Sequence, residues 1–160
     1  MRNQLLSIIE KNSRIDLKEL AVRLGREEID VANELAKLEQ EGVICGYHTL
    51  VNWEKTDVET VTALIEVKVT PQRGQGFDRI ASRIYNYPEV RDVFLLSGGF
   101  DLMVILEEKS LKDIARFVSE KLSTLDSILS TSTHFILKKY KDHGTIMNES
   151  KEDDREVVSP

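Results

Sequence analysis

Cysteine is almost missing from this chain: Cys45 stands alone among 160 residues. No internal disulfide can form, which fits a reducing compartment and leaves packing to hold the fold together. No apolar run approaches the roughly 18 residues that a membrane-crossing helix needs. The opening Met1-Arg2-Asn3-Gln4 leads into a mixed polar segment rather than the apolar core of a secretion signal, so the chain reads as cytoplasmic. Positive charge is also scarce. Lys and Arg number 22 against 28 Asp and Glu, a formal net charge of −6. Any nucleic-acid binding therefore needs a local basic face. There is no G-x-G-x-x-G, no phosphate-binding P-loop and no nucleophile elbow. His48, His134 and His143 have no metal-ligand spacing with one another or with Cys45, so each is expected to be exposed or satisfied, and no metal or cofactor is expected. Cys45 lies in an apolar stretch and is expected to be a small core residue. Arg79 and Arg83, four apart, read as a solvated helix face. Glu107 and Glu108 would point to opposite faces of a strand, which leaves Asp101 without an acid–base partner and argues against catalysis.

What is present is 41% apolar and 31% charged residues, enough to pack one large domain or two small ones. Residues 1–56 read as three helices and a strand. Leu5, Leu6, Ile8 and Ile9 stripe the first helix. Leu17, Leu20, Ala21 and Leu24 stripe the second, with Asp16 and Glu19 in a capping-box pattern and Gly25 where the helix should stop. A third helix is expected from about Glu28 to Glu41, with Val31, Leu35 and Leu38 inward and Gly42 at its end. Val43–Val51 then has the composition of a strand.

A polar connection, 53–59, precedes a change of rhythm. Val61, Ala63, Ile65, Val67 and Val69 alternate with polar residues apart from Leu64, so one strand face is expected to be buried. Phe77, Ile80, Ala81 and Ile84 return to helical spacing, and Pro88 closes that region. Val90 with Val93–Leu96 and Leu102–Leu106 should form a hairpin across Gly98-Gly99. Ser110 should cap a helix carrying Leu111, Ile114, Phe117, Val118, Leu122 and Leu125, and a last strand should span about Ile128 to Lys138. This βαββαβ order is the ferredoxin-like pattern. Its helices cover one sheet face only, and a second copy of the chain is the natural cover for the other. Residues 142–160 have little to bury and read as a disordered acidic tail.

Two helices joined at Gly25 are a helix-turn-helix candidate, whose second helix would enter a DNA major groove. Its start and outward face would present Arg26, Glu27, Glu28, Asp30, Asn33, Glu34 and Lys37. Over residues 1–56, eight Lys and Arg stand against ten Asp and Glu, a net of −2. Phosphates favour Lys and Arg, so this helix is unusually acidic for the task. Arg14, Lys18, Arg23, Arg26 and Lys37 could line one side, Arg2 and Lys11 could add to them, and dimerisation would double the patch. The alternative is that the three helices are only a packing or dimer unit.

Arg14-Ile15-Asp16-Leu17-Lys18-Glu19-Leu20-Ala21 resembles the "GRIS…ELA" segment of the Lrp/AsnC (leucine-responsive/asparagine-responsive) family of transcriptional regulators. Leu38-Glu39-Gln40-Glu41-Gly42-Val43-Ile44, followed by Gly46-Tyr47, resembles its "LEeeGvIkgY". Pro88-Glu89-Val90 with Ser97-Gly98-Gly99-Phe100-Asp101-Leu102 is similar to "PeV…tGdyDyl", and Thr131–Leu137 to the closing "T-x-T-f-x-vl". The matches run in order over roughly residues 3–141. They depart from the family at Glu27-Glu28 and Asn33-Glu34, where a Ser-Pro-type cap and paired arginines are usual.

The resemblance implies an α+β chain: a winged helix-turn-helix with linking strand over 1–52, a linker over 53–59, a ferredoxin-like effector and oligomerisation domain over 60–141, and a tail over 142–160. It implies double-stranded DNA as a partner, with Arg14, Lys18, Arg23, Arg26, Glu27, Asn33 and Lys37 toward it. It also implies a small-molecule effector, an amino acid, at Gly98, Phe100, Asp101, Thr131 and Thr133, in a homodimer that can build to a tetramer or octamer. The chemistry suits the residues: glycine N–H groups can approach a carboxylate, Asp101 an ammonium, and two hydroxyls lie two apart on one strand face. The alternative for Asp101 is a tight turn in which it bonds nearby backbone amides. Two rival functions are an oligomeric amino-acid sensor or partner protein that has lost DNA binding, and a tetrapyrrole-acting enzyme for which His134 is the one nearby histidine.

Overall fold

A computed structural model describes residues 1–70 and 76–147. Its compact units divide between Leu50 and Val51.

The first unit holds α1 (Arg2–Lys11), α2 (Leu17–Leu24) and α3 (Glu28–Gln40). Each boundary has a local cause. The Asp16 carboxylate accepts the Glu19 N–H at 2.7 Å and starts α2. Gly25 ends it in the left-handed region at φ 61°, with its own N–H on the Val22 carbonyl and the Arg26 N–H on that of Ala21. Only glycine takes that conformation at little cost. Glu19 does not reach back to complete the capping box, because its carboxylate accepts from Arg23 one turn on. Leu5, Ile9, Leu20, Ala21, Val31 and Leu38 are buried together, with Leu35 and Ile44 packed at their margin.

The second unit opens with a 3-10 turn at Trp53–Lys55. Then come β1 (Val61–Val69), α4 (Asp78–Tyr85), β2 (Val90–Leu95), β3 (Leu102–Glu108), α5 (Leu111–Phe117) and β4 (Ile128–Phe135). The sheet order is β2-β3-β1-β4, antiparallel throughout. Alternation in β1 sends Ala63, Ile65, Val67 and Val69 into a core with Leu102, Val104 and Leu106 of β3 and with Ile80, Ile84, Ile114, Phe117 and Leu122 of the helices. Ser110 caps α5 by accepting the Asp113 N–H. Beyond Phe117 the helix widens into a π-type turn over Val118–Leu122, so the single run expected through Leu125 is shorter and changes pitch. β4 stops at Phe135, three residues early, although the Ile136 N–H still reaches the Thr62 carbonyl at 2.9 Å.

Three expectations are corrected. Val43–Val51 forms no strand. Its β-favouring composition meets no neighbouring strand among the described residues, and Val43, Tyr47, Leu50 and Val51 stay exposed. Cys45 is exposed for the same reason, its thiol donating to the Gly42 carbonyl rather than packing in a core. The tail begins later than 142. β5 (Lys141–Asp142) and β6 (Thr145–Ile146) form a small hairpin around His143 and Gly144, both at positive φ. That is the backbone a two-residue hairpin turn demands. Met147 beyond it is buried and held by Asn52, whose side-chain amide donates to its carbonyl at 2.9 Å. The rest of the expected tail, 148–160, lies outside the described residues.

Candidate nucleic-acid and effector sites

In the first unit, α3 buries Val31 and Leu38 and leaves Ile29, Asp30, Asn33, Ala36, Lys37 and Gln40 exposed. Arg14, Lys18, Arg23, Arg26 and Glu27 are exposed as well. Of the expected basic contacts, Arg23 is engaged by Glu19 and Lys37 lies 3.9 Å from Glu41. A shallow hollow of about 280 Å³ at the turn brings Arg26, Glu27 and Asp30 together with Ala21, Val22 and Gly25. Glu28 and Asp30 occupy the first turn of α3, where carboxylates meet the positive end of the helix dipole and steady it.

Two residues are not where the sequence placed them. Glu34, expected outward, is turned against α1: the Arg2 Nε donates to its Oε1 at 2.8 Å, and only 18% of the side chain is exposed. Arg2, expected to join a basic patch, is spent on Glu34 and Glu41. The hydrogen bonds to Glu41 and then Glu34 raise its pKa further. The pairs are separated by 32 and 39 residues, so no local pattern announced them. Glu39 is likewise occupied, accepting from the Tyr47 hydroxyl at 2.7 Å, which raises the phenol's pKa.

The expected effector residues fall in two groups, Gly98, Phe100 and Asp101 ahead of β3 and Thr131 and Thr133 on β4. Asp101 sits just before β3, and its N–H donates to the Val67 carbonyl at 3.0 Å. Its Oδ2 accepts the Val69 N–H at 2.9 Å, beside the register shift at Lys68/Val69. One side chain thus replaces the strand that β1 loses where β3 turns away. The tight-turn alternative put this carboxylate on nearby backbone amides; the amide it meets is instead 32 residues away across the sheet, and it occupies one oxygen of the carboxylate. Gly98 and Gly99 are exposed, while Phe100 and Asp101 are half-buried. Gly98 has φ 151°, a value that favours glycine. Thr131 and Thr133 stand opposite Val67 and Ile65, so their hydroxyls share the helix-covered face at the β4 edge and are half-buried. β1 separates them from Asp101, which places the two groups on the order of 10 Å apart at normal strand spacing. None of the five lines a cavity of this unit, about 370 Å³ between Asn52, Trp53, Thr60, Thr62, Lys138 and Met147.

The uncovered sheet face carries rows read from the register: Asp92, Ile105, Leu64 and His134, then Phe94, Met103, Glu66 and Ser132. His134 is paired with Glu66 at 3.2 Å. A cluster missed in the sequence lies across the other face. Lys121, set by the π-turn, pairs with Glu89 and sits 5.4 Å and 5.8 Å from the ring centres of Tyr87 and Phe117. The Lys121 contact holds the Glu89 carboxyl below its ordinary range despite burial. Among the described residues no group of three His, Cys, Asp or Glu is placed to hold a metal, and no helix is long and apolar enough to cross a membrane.

A helix-turn-helix unit followed in one chain by a ferredoxin-like unit defines a two-part architecture, and known proteins share it. Residues 62–146 match the family model described as the Lrp/AsnC ligand binding domain. The chain is 51% identical over 158 residues to the uncharacterized HTH-type transcriptional regulator YugG of Bacillus subtilis, covering 98% of this chain and 95% of that one. It is 33% identical to the uncharacterized HTH-type transcriptional regulator PF1734 of Pyrococcus furiosus, covering 87% and 90%. In fold it is similar to the crystal structure of the transcriptional regulator NMB0573 in complex with L-Met, from Neisseria meningitidis: TM-score 0.71 at 22% identity, over 88% of this chain and 90% of that one. The chain belongs to the Lrp/AsnC family.

Proposed function

We propose that this protein is a DNA-binding transcriptional regulator of the cytoplasm whose second unit pairs copies of the chain and senses a small molecule, an amino acid, without catalysing a reaction. The observation that carries the reading is the bare outward side of α3, exposed from Ile29 to Gln40 in a helix-turn-helix whose inward side is fully packed. The relatives named as HTH-type transcriptional regulators support it. Arg14, Lys18, Arg26 and Lys37 are the residues proposed to meet phosphates, with Arg23, Glu27 and Asn33 beside them. The half-apolar open sheet face, with Leu64, Phe94, Met103 and Ile105, is the proposed dimer contact; a dimer that reads successive major grooves presents its two α3 helices about 34–36 Å apart. Gly98, Phe100, Asp101, Thr131 and Thr133 are the proposed effector residues. The structural relative that holds L-Met supports an amino acid as the class.

Selection of genomic fragments at low salt, with and without pooled amino acids, tests this. Specific fragments should be retained, their retention should change with one amino acid, and affinity should fall steeply as salt rises. The acidic turn at Glu27, Glu28 and Asp30 favours a second reading, an oligomeric amino-acid sensor that no longer binds DNA. Thermal stabilisation by an amino acid with no fragment retained at any salt would select it.

A further inference from the structure

The outward side of α3 is not uniformly acidic. At about 100° per residue, Ile29, Asn33, Ala36 and Gln40 fall on one stripe, and all four are exposed, Ile29 by 66%. The stripe carries no charge. Asp30 and Lys37 lie on one flank, Glu28 and Glu39 on the other. Glu34 and Glu41 are tied to Arg2, and Glu39 to Tyr47. What the helix offers along its centre is two carboxamides and two apolar side chains.

Base edges in the major groove differ in what they accept. Guanine presents two acceptors that suit Arg or Lys, adenine an acceptor and a donor that suit a carboxamide, and thymine a methyl group that suits an apolar contact. The stripe has no cation for guanine. It has Asn33 for adenine, and Ile29 and Ala36 for thymine methyls. From Ile29 to Ala36 the helix rises about 10 Å, roughly three base-pair steps of 3.4 Å.

We infer that α3 reads about three consecutive A·T pairs, Asn33 bonding an adenine edge and Ile29 and Ala36 packing on thymine methyls. The inference rests on the regulator reading and names its specificity residues. The flanking carboxylates support the same selectivity, since they weaken non-specific phosphate attraction and leave more of the affinity to base contacts.

The test is selection from randomised duplexes by the full chain at low salt, followed by binding to the selected duplex with uracil in place of thymine. That exchange deletes the methyl and keeps the base-pairing groups. A block of A·T pairs should be enriched. Asn33→Ala should lose the adenine preference by about 10-fold or more. The uracil duplex should bind the parent protein about 10- to 20-fold more weakly, as two buried methyls predict, and Ile29→Ala should shrink that penalty to the about 3- to 5-fold left by the Ala36 contact. Both side chains are exposed, and unchanged melting temperatures confirm that the variants fold. Enrichment of G·C at these positions, or equal parent affinity for the thymine and uracil duplexes, overturns the inference and leaves the regulator reading standing. No duplex enriched at any salt overturns the regulator reading itself.

Discussion

Val43–Val51 and Val61–Val69 have similar strand-favouring content, yet only the second is a strand. β1 has β3 on one side and β4 on the other, and every second side chain enters the core. The earlier stretch meets no strand among the described residues; Ile44 packs at the margin of the first unit's core, while Val43, Tyr47, Leu50 and Val51 face outward. Composition proposes extended backbone; only a neighbour supplying N–H and C=O groups makes it a strand.

The largest effect that sharpens this contrast is at Ile65, fully buried in β1. Ile65→Ala should cost about 2–5 kcal/mol in urea unfolding of dilute protein, whereas the exposed Val43→Ala should cost under about 0.5 kcal/mol. A comparable loss at Val43 would show that the earlier segment is paired after all. Asp101 comes next, since its carboxylate stands in for a missing strand at the end of β1. Asp101→Ala should cost about 1–3 kcal/mol by leaving the half-buried Val69 amide end without its acceptor. Asn, which keeps an acceptor oxygen, should restore most of it, and amide exchange at Val69 should report the same order. If Asp101 binds the ammonium of an effector, Asn should still lose ligand-induced stabilisation, which separates the two duties.

The smallest loss expected at a paired side chain is at Glu89. Its carboxyl is held below the ordinary value by Lys121, so the pair stabilises the fold above that ordinary value, and the contribution is lost as pH falls through the lowered one. Glu89→Gln should cost about 0.5–1 kcal/mol near neutral pH and much less in acid. A deficit that stayed constant with pH would assign the loss to packing around the Tyr87 and Phe117 rings instead.

Much of the local structure was legible because its causes are local. The Asp16 cap, the Gly25 and Gly42 stops, the β1 alternation and the hairpin between β2 and β3 each depend on residues within a few positions of one another. The candidate sites were less legible. Arg2 on Glu34, Lys121 on Glu89 and Asp101 on the Val69 amide each link groups 32 residues apart. The small β5–β6 hairpin was missed by reading Asp142 with the acidic residues that follow it rather than with the turn at His143-Gly144.

The order of amino acids, taken alone, determined where α2 and α3 start and stop, which faces turn inward, and the βαββαβ sequence of elements, since propensity, capping and periodicity act over one or two turns of chain. Tertiary structure decided which charges remain available, whether Val43–Val51 is paired, and what Asp101 holds. Those outcomes depend on the partner each group meets across the fold, and a hydrogen bond or ion pair exists only when distant backbone delivers that partner within about 3 Å.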